Sequence, residues 1–382
     1  MRRVMCITGV RSEYFLQRPI FQAIMDHPEL ELELVVAGAH LSPMHGSTVK
    51  DIEADGFPVV AKIESLLYSD RDAARIKGAA NQMQVLSHVI DERRPDLLLA
   101  PTDREETMLL ALYSTYISIP CVQYGAGDRS GHVDDMVRHA VSRLSHVLLA
   151  PHEEAEIRLV NTGEDEWRVH NVGSAGLDRI RATPLMDRGA MADALGVQQV
   201  DATYLIAVQH PVSESYRSSG DHMHEILTAV DRSGHQCFVS YPSSDPGSQA
   251  IIEVIERYAD HPKIHTFRNI PDQPFVNLLR NASCLIGNSS MALVEAPMLQ
   301  LPAIMVGNRQ VNRAHTDNVL FVAPDADDIS RALNKAMTNQ EFRQQLALVS
   351  SPYGDGNTGP RIAITLAKID INSALLNKSL TY

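Results

Sequence analysis

The chain has 382 residues, 44% of them hydrophobic and 21% charged, with a formal net charge of −13 at pH 7. That length exceeds what one ordinary core serves and fits two domains, and the composition is that of a globular chain. The negative field disfavours a nucleic-acid or anionic-membrane partner, and it admits an anionic small ligand only where local arginines or a helix end override it. Cys6, Cys121, Cys237 and Cys284 stand far apart and predict reduced core thiols rather than a disulfide framework or a zinc site. Two early arginines are followed too soon by Thr8-Gly9 and Arg11 for a secretion signal. No run approaches the roughly 18 apolar residues of a membrane span. A cytoplasmic location is therefore expected.

In chain order, Val4–Thr8, Leu32–Ala37, Leu97–Ala100, Cys121–Tyr124 and Val147–Ala150 predict buried strands. Arg71–Arg93 and Thr107–Tyr116 predict helices between them, the rhythm of a parallel sheet wrapped by helices. A strand-poor region, Ser174–Asp201, then separates the halves. The rhythm resumes with Tyr204–Val208, Cys237–Ser240, Ile264–Phe267, Cys284–Ile286 and Ala303–Val306. Gly354-Asp355-Gly356-Asn357 breaks the chain before a last helix, Pro360–Leu376. The expectation is an α/β chain of two doubly wound, Rossmann-like domains, 1–172 and 173–359, with a cleft between them. The C-terminal segment, 360–382, is expected to pack back on the first domain.

Several predicted strands end in polar or glycine-containing turns, and in open α/β sheets ligands sit beyond the carboxyl ends of strands. In Thr8–Tyr14, Gly9 allows a tight turn, and Arg11 either reaches a phosphate from a helix start or makes a surface ion pair. In Pro101–Glu106, Asp103 is a candidate base with Arg104 as charge partner, and equally a candidate N-cap. Val122–His139 runs from a strand end through a glycine-rich turn into a helix that opens with Asp134 and Asp135. His210 ends the first strand of the second half, where a histidine suits proton transfer or phosphate contact. Any one of sixteen histidines is more often structural. Gly287–Glu295 follows a strand and opens a helix whose N–H groups, with Ser289 and Ser290, suit a diphosphate. Glu295 lies farther in, within reach of ribose hydroxyls; an ordinary serine N-cap is the alternative. Arg309 and Arg313 follow the next strand. The Asn-Xaa-Ser pattern at Asn288 carries no glycosylation meaning in a cytoplasmic protein. Metal-ligand spacings, the GxxxxGK[ST] loop, the GxGxxG fingerprint and the GxSxG elbow are absent from the sequence.

In their shared order and spacing these segments resemble the hydrolysing UDP-N-acetylglucosamine 2-epimerases, above all the sialic- and legionaminic-acid branch. The likeness runs from Ile7–Tyr14 to Pro352–Asn357. Between them lie Gly38-Ala39-His40-Leu41, Asp103-Arg104, Ser130–Asp135, Arg138-His139, His210-Pro211-Val212, Gly287–Ser290 and Gly307–Gln310. The resemblance implies a GT-B-like fold with a UDP-sugar substrate in the cleft and UDP held mainly by the second domain. It also implies loss of UDP together with the C2 proton. Hydration of the resulting 2-acetamidoglucal, with inversion at C2, gives N-acetylmannosamine and UDP without a metal or redox cofactor. By position, Asp103 and Asp134 match acid/base residues, and His210 falls at the diphosphate or the sugar. Arg11, Ser289 and Ser290 would meet phosphate, Glu295 the ribose, Arg309 the nucleotide side and Phe275 the uracil. His40 and Arg104 lie in matching segments and are expected at the substrate. A homodimer or homotetramer is implied as well.

One stretch departs from the pattern. The family commonly reads His-Ile-Glu-Gly-Gly-Glu where this chain has Gln123-Tyr124-Gly125-Ala126-Gly127-Asp128. The first glutamate is a proposed catalytic residue, and Gly125 cannot transfer a proton. Three outcomes are open. Asp128 or a neighbour takes over the role on UDP-N-acetylglucosamine, or the pocket is enlarged for a UDP-2,4-diacetamido-2,4,6-trideoxyhexose, or the protein binds a UDP-sugar without epimerising it. A GT-B glycosyltransferase and a non-hydrolysing epimerase are the rival enzyme classes.

Overall fold

The computed structural model describes the chain except residues 70–72, 131–132, 243–246, 380 and 382, together with the side chains of 133 and 213–215. Two compact units result. The first holds Met1–Arg129, Val133–Arg179 and Tyr353–Tyr382; the second holds Ile180–Pro352.

Seven parallel strands make the sheet of the first unit: β1 (Arg2–Thr8), β2 (Leu30–Ala37), β3 (Val59–Ile63), β4 (Leu97–Pro101), β5 (Cys121–Tyr124), β6 (Val147–Ala150) and β7 (Val169–Asn171). Their order is β3-β2-β1-β4-β5-β6-β7. Val4, Met5, Cys6 and Ile7 on β1 and Leu97 and Leu98 on β4 are wholly buried, because helices cover both sheet faces. Each such aliphatic side chain contributes about 1.5–3 kcal/mol on burial. The second unit repeats the plan with β8 (Tyr204–Val208), β9 (Gln236–Ser240), β10 (Ile264–Phe267), β11 (Cys284–Gly287), β12 (Ala303–Val306) and β13 (Val319–Val322), in the order β10-β9-β8-β11-β12-β13. Both are doubly wound. The strand order reverses between β1 and β4 in one unit and between β8 and β11 in the other, and such switch points are where ligands of open α/β sheets bind.

The strands expected from apolar runs are present, but β3, β7 and β13 carried too little hydrophobic signal. They lie at or beside sheet edges and are only partly buried. The helix expected at Arg71–Arg93 is described over Ala73–Arg93, and residues 71–72 lie outside the described residues. The last helix, expected as one piece over Pro360–Leu376, is two: Thr358–Lys368 and Ser373–Leu376, the second opened by the Asn372 side chain accepting Leu375 N–H at 2.9 Å. Thr358–Lys368 packs on the helix Arg11–Asp26, inside the first unit. Asp178 accepts the N–H groups of Thr358 and Gly359 at 2.9 and 2.7 Å. That capping contact ties 173–179 to 353–359, and Ala175 N–H donating to Tyr124 Oη at 2.8 Å joins them to the first unit, so the observed units divide at 179/180 and 352/353 rather than at the expected 172/173 and 359/360.

All four cysteines are free and buried, and burial pushes their thiols up. Among the described residues no helix is long and apolar enough to cross a membrane, and no cluster suited to a metal ion occurs.

Candidate active site

In the first unit, the turns after β1 and β4 bring together groups 93 residues apart in sequence. Gly9 leaves β1, and Thr102, Asp103 and Arg104 leave β4. Glu13 is on the first turn of the helix Arg11–Asp26, and Glu106 on the first turn of the helix Glu105–Ile117. Both carboxylates are buried, at 6% and 3% exposure. Glu13 Oε2 accepts Gly9 N–H at 3.3 Å, and Thr102 Oγ1 lies 3.4 Å from Glu13 Oε1. The Glu106 carboxylate fills the space a side chain at position 9 would need: an ideal Cβ there would stand 1.9 Å from Glu106 Oε1. Gly9 therefore serves close approach. Arg104 pairs with Glu106 at 3.4 Å and with Glu105 at 3.5 Å.

Burial, and then the neighbouring Glu106 charge, push the Glu13 carboxyl up to about 8, against Arg104 and the Gly9 N–H; Asp103 adds to the rise. Glu106 is also raised, by burial first. This pair was not singled out from the sequence. Each glutamate alone looks like a favourable acidic residue in a first helical turn, and only the fold sets one against the other.

Asp103 forms an ion pair with Arg138, on the helix Val133–Leu144. Arg138 is 2% exposed and also holds Asp135 Oδ1 at 2.5 Å and the Asp128 carbonyl at 3.2 Å. Burial opposes its charge, but Asp103, Asp128 and Asp135 more than offset that and hold it above the usual guanidinium range. Arg138 follows Asp135 by three residues, a spacing that pairs them on one helix face, and it lies in one of the resembling segments. Asp134 is on the same first turn, half-buried. Gln123, on β5 and fully buried, donates to the Thr102 carbonyl at 3.3 Å and the Arg138 carbonyl at 3.1 Å, and accepts from Ser142 at 2.7 Å. It knits the β4 turn to the Asp134 helix.

Asp128, expected as a stand-in for the missing glutamate, is 7% exposed. Its Oδ1 accepts Arg129 N–H at 2.8 Å and meets His152 Nε2 at 3.1 Å. His152 Nδ1 already accepts Ala155 N–H at 3.3 Å, so the ring proton belongs on Nε2, donating to Asp128. Gly125 has φ +77°, the left-handed region, and a Cβ there would lie 3.4 Å from Thr102 Cγ2, ordinary contact distance. A side chain would fit the space but strain the backbone.

His40, expected at the substrate, is wholly buried, with Thr8 Oγ1 3.0 Å from Nε2 and Thr48 Oγ1 2.8 Å from Nδ1. Burial lowers it to about 4, so it is a neutral anchor for the turn after β2 rather than a group facing a ligand. Arg11 sits over the Phe15 ring at 4.9 Å, its Nε 4.0 Å from Asp51, and its side chain keeps 22% exposure.

The second unit gathers its candidates at the β8/β11 switch. His210 follows β8 and is partly exposed. Asn288, after β11, clamps its backbone: His210 N–H donates to Asn288 Oδ1 at 2.7 Å, and Asn288 Nδ2 donates to the His210 carbonyl at 2.8 Å. Arg309 Nη1 and Gln310 Nε2 donate to the Asn288 carbonyl at 3.2 and 3.4 Å. Asn288 thus sets His210 and Arg309 on one edge, a role its sequence context hid. The helix expected to open at Ser289 is instead a 3-10 turn, Ser290–Ala292, capped by Ser289, followed by a four-residue helix starting at Glu295. Glu295 is 3% exposed and opens that short helix rather than lying deep in a long one. Phe275 is half-buried on the first turn of Asp272–Asn281, after β10.

The pH dependence of stability follows from the buried groups. His40 and His146, both lowered to about 4 by burial, stay neutral in the fold but protonate near 6.5 when unfolded, so stability falls as pH drops from about 6.5 to 4. Glu13 binds its proton up to about 8 in the fold but loses it near 4.5 unfolded, so stability also falls as pH rises between those values. Thermal midpoints of the wild type should decline from pH 6.5 to 8, and those of Glu13→Gln should decline less. Parallel slopes would refute the assignment.

Two doubly wound parallel sheets with polar groups at both switch points make this a GT-B-like α/β chain. Solved structures agree on the fold. UDP-GlcNAc 2-epimerase of Neisseria meningitidis bound to UDP-GlcNAc superposes with a TM-score of 0.79 at 18% identity, covering 96% of this chain and all of that one. The family model for UDP-N-acetylglucosamine 2-epimerase matches residues 22–367. UDP-N,N'-diacetylbacillosamine 2-epimerase (hydrolyzing) of Legionella pneumophila is 31% identical over 382 residues, covering 100% of both chains. UDP-N-acetylglucosamine 2-epimerase of Neisseria meningitidis is 30% identical over 344 residues, 90% of this chain and 89% of that one. The chain belongs to the UDP-N-acetylglucosamine 2-epimerase family.

Proposed function

We propose that this protein is a hydrolysing 2-epimerase of a UDP-2-acetamido sugar, and that UDP-2,4-diacetamido-2,4,6-trideoxyhexose is its preferred substrate. The observation that carries the reading is the end-to-end likeness to the Legionella protein named as a hydrolysing diacetylbacillosamine epimerase. Gly125 is consistent with the substrate choice, since the carboxyl end of β5 carries no side chain where the family commonly has glutamate. The Neisseria relative named for UDP-N-acetylglucosamine supports that sugar as the second reading.

In this reading Asp103 and Asp134 form the acid/base set, with Asp103 paired to Arg138. One takes the C2 proton, and the C1–O electron pair leaves on the diphosphate. Water then adds its hydroxyl to C1, and a proton enters C2 from the other face. Arg309 and His210, with Ser289 and Ser290, serve the diphosphate, whose developing charge is worth several kcal/mol to stabilise with fixed donors. Glu295 serves the ribose and Phe275 the uracil; Arg104 steadies the carboxylates beside the sugar. Asp128, bound to His152, orients the turn after β5.

Proton NMR in D2O, without metal or acceptor, tests this. Incubation with each of the two UDP-sugars should give free UDP and a 2-epimeric free sugar deuterated at C2, faster for the diacetamido sugar. Retention of UDP in a UDP-linked epimer would establish the non-hydrolysing class instead. Unchanged spectra with both sugars would overturn the reading.

A further inference from the structure

On β5, Gln123 stands in register between Ala100 of β4 and Leu148 of β6, a place where the sheet otherwise carries aliphatic residues. It is wholly buried. A buried amide is costly unless its donors and acceptor are met, so the partners it meets define its role. Both of its N–H bonds go to main chain, one to the Thr102 carbonyl at 3.3 Å and one to the Arg138 carbonyl at 3.1 Å. The Ser142 hydroxyl donates to Gln123 Oε1 at 2.7 Å. That contact fixes the sense of the amide, because the reverse sense would set its oxygen against two carbonyls. The Ser142 carbonyl is held in turn by Lys378 Nζ at 2.6 Å.

The two carbonyls belong to the backbone behind one ion pair. Thr102 precedes Asp103, and Arg138 carries the guanidinium that Asp103 meets. Thr102 has φ +40°, a costly conformation for a β-branched residue. Such a conformation persists where its surroundings over-determine it. Here the Thr102 N–H is held by the Tyr124 carbonyl at 2.9 Å and the Thr102 carbonyl by Gln123, so β5 fixes both sides of the residue.

We propose that Gln123 is a positioning residue for Asp103. Its amide holds the β4 turn against the helix Val133–Leu144, so that the Asp103–Arg138 pair is set before substrate arrives. Being wholly buried, Gln123 acts through Asp103 and exchanges no proton with substrate. The proposal rests on the hydrolysing-epimerase reading for what Asp103 then does.

The test is a double-mutant cycle on steady-state UDP release from the diacetamido UDP-sugar, with Gln123→Met, Asp103→Asn and the two combined. Gln123→Met keeps the length of the side chain and removes both donors. It should lower kcat about 10²-fold with KM within about threefold, the loss expected when a reacting group is misplaced. Added to Asp103→Asn, it should lower kcat by less than about threefold further, since no base remains for it to position. Ser142→Ala frees the amide to turn and should follow the same pattern with a loss of about tenfold. It decides the cycle if Gln123→Met fails to fold. A Gln123→Met kcat within about threefold of wild type, or losses that multiply in the combined variant, overturns the inference.

A second readout needs no turnover. With isotope-labelled arginine, the Arg138 Nη–H signals, identified by their loss in Arg138→Lys, should be resolved and slow to exchange, since the guanidinium is buried and paired. Gln123→Met should broaden them and speed their exchange; unchanged signals overturn the inference. A wild type that releases no UDP overturns the hydrolysing reading, and the Arg138 signals then decide the positioning role by themselves.

Discussion

Replacing Asp103 by asparagine is expected to lower kcat by about 10²–10⁴-fold, the usual contribution of a positioned acid or base, with KM little changed. Asparagine keeps the shape and can still accept from Arg138, but it cannot take a proton. Arg138 would still be held by Asp135 and the Asp128 carbonyl, so the fold should survive. Steady-state UDP release, with a thermal melt as control, checks this. A variant within threefold of the wild-type rate would remove Asp103 from the acid/base set.

Arg138→Leu should cost about 3 kcal/mol of stability, measured by urea unfolding. Breaking a buried ion pair by removing one partner costs about 3–5 kcal/mol, because the other charge stays behind. Here two carboxylates, Asp103 and Asp135, lose their cation, and their side chains retain 20% exposure each, which places the cost at the lower end. The Asp128 carbonyl loses a donor as well. Lysine should rescue only part, since its single ammonium cannot reach three acceptors in the guanidinium's fixed fork. A loss under 1 kcal/mol would mean that water replaces the arginine.

Both variants probe a network only half visible in the chain itself. Asp103, Asp134 and Asp128 stand in sequence at turns that the apolar runs delimit, and the structure puts Asp103 and the aspartate beside Asp134 on one arginine. Asp128 instead turned to His152, 24 residues on, a partner that no local spacing announces. His40 shows the reverse case. It belongs to a resembling segment, but tertiary packing sealed it between Thr8 and Thr48.

The sequence by itself determined the βαβ rhythm, the two-unit plan and the turns that carry polar groups, because buried strands and covering helices leave short-range hydrophobic patterns. Edge strands such as β3 and β13, exposed on one side, left too weak a pattern to read. Only the tertiary structure decided which turns became neighbours. Glu13 met Glu106 across 93 residues, and Asn288 clamped His210 across 78. Proton affinity and side-chain orientation depend on burial and on charges brought close by the sheet order, and those are properties of strand adjacency rather than of any local run of residues.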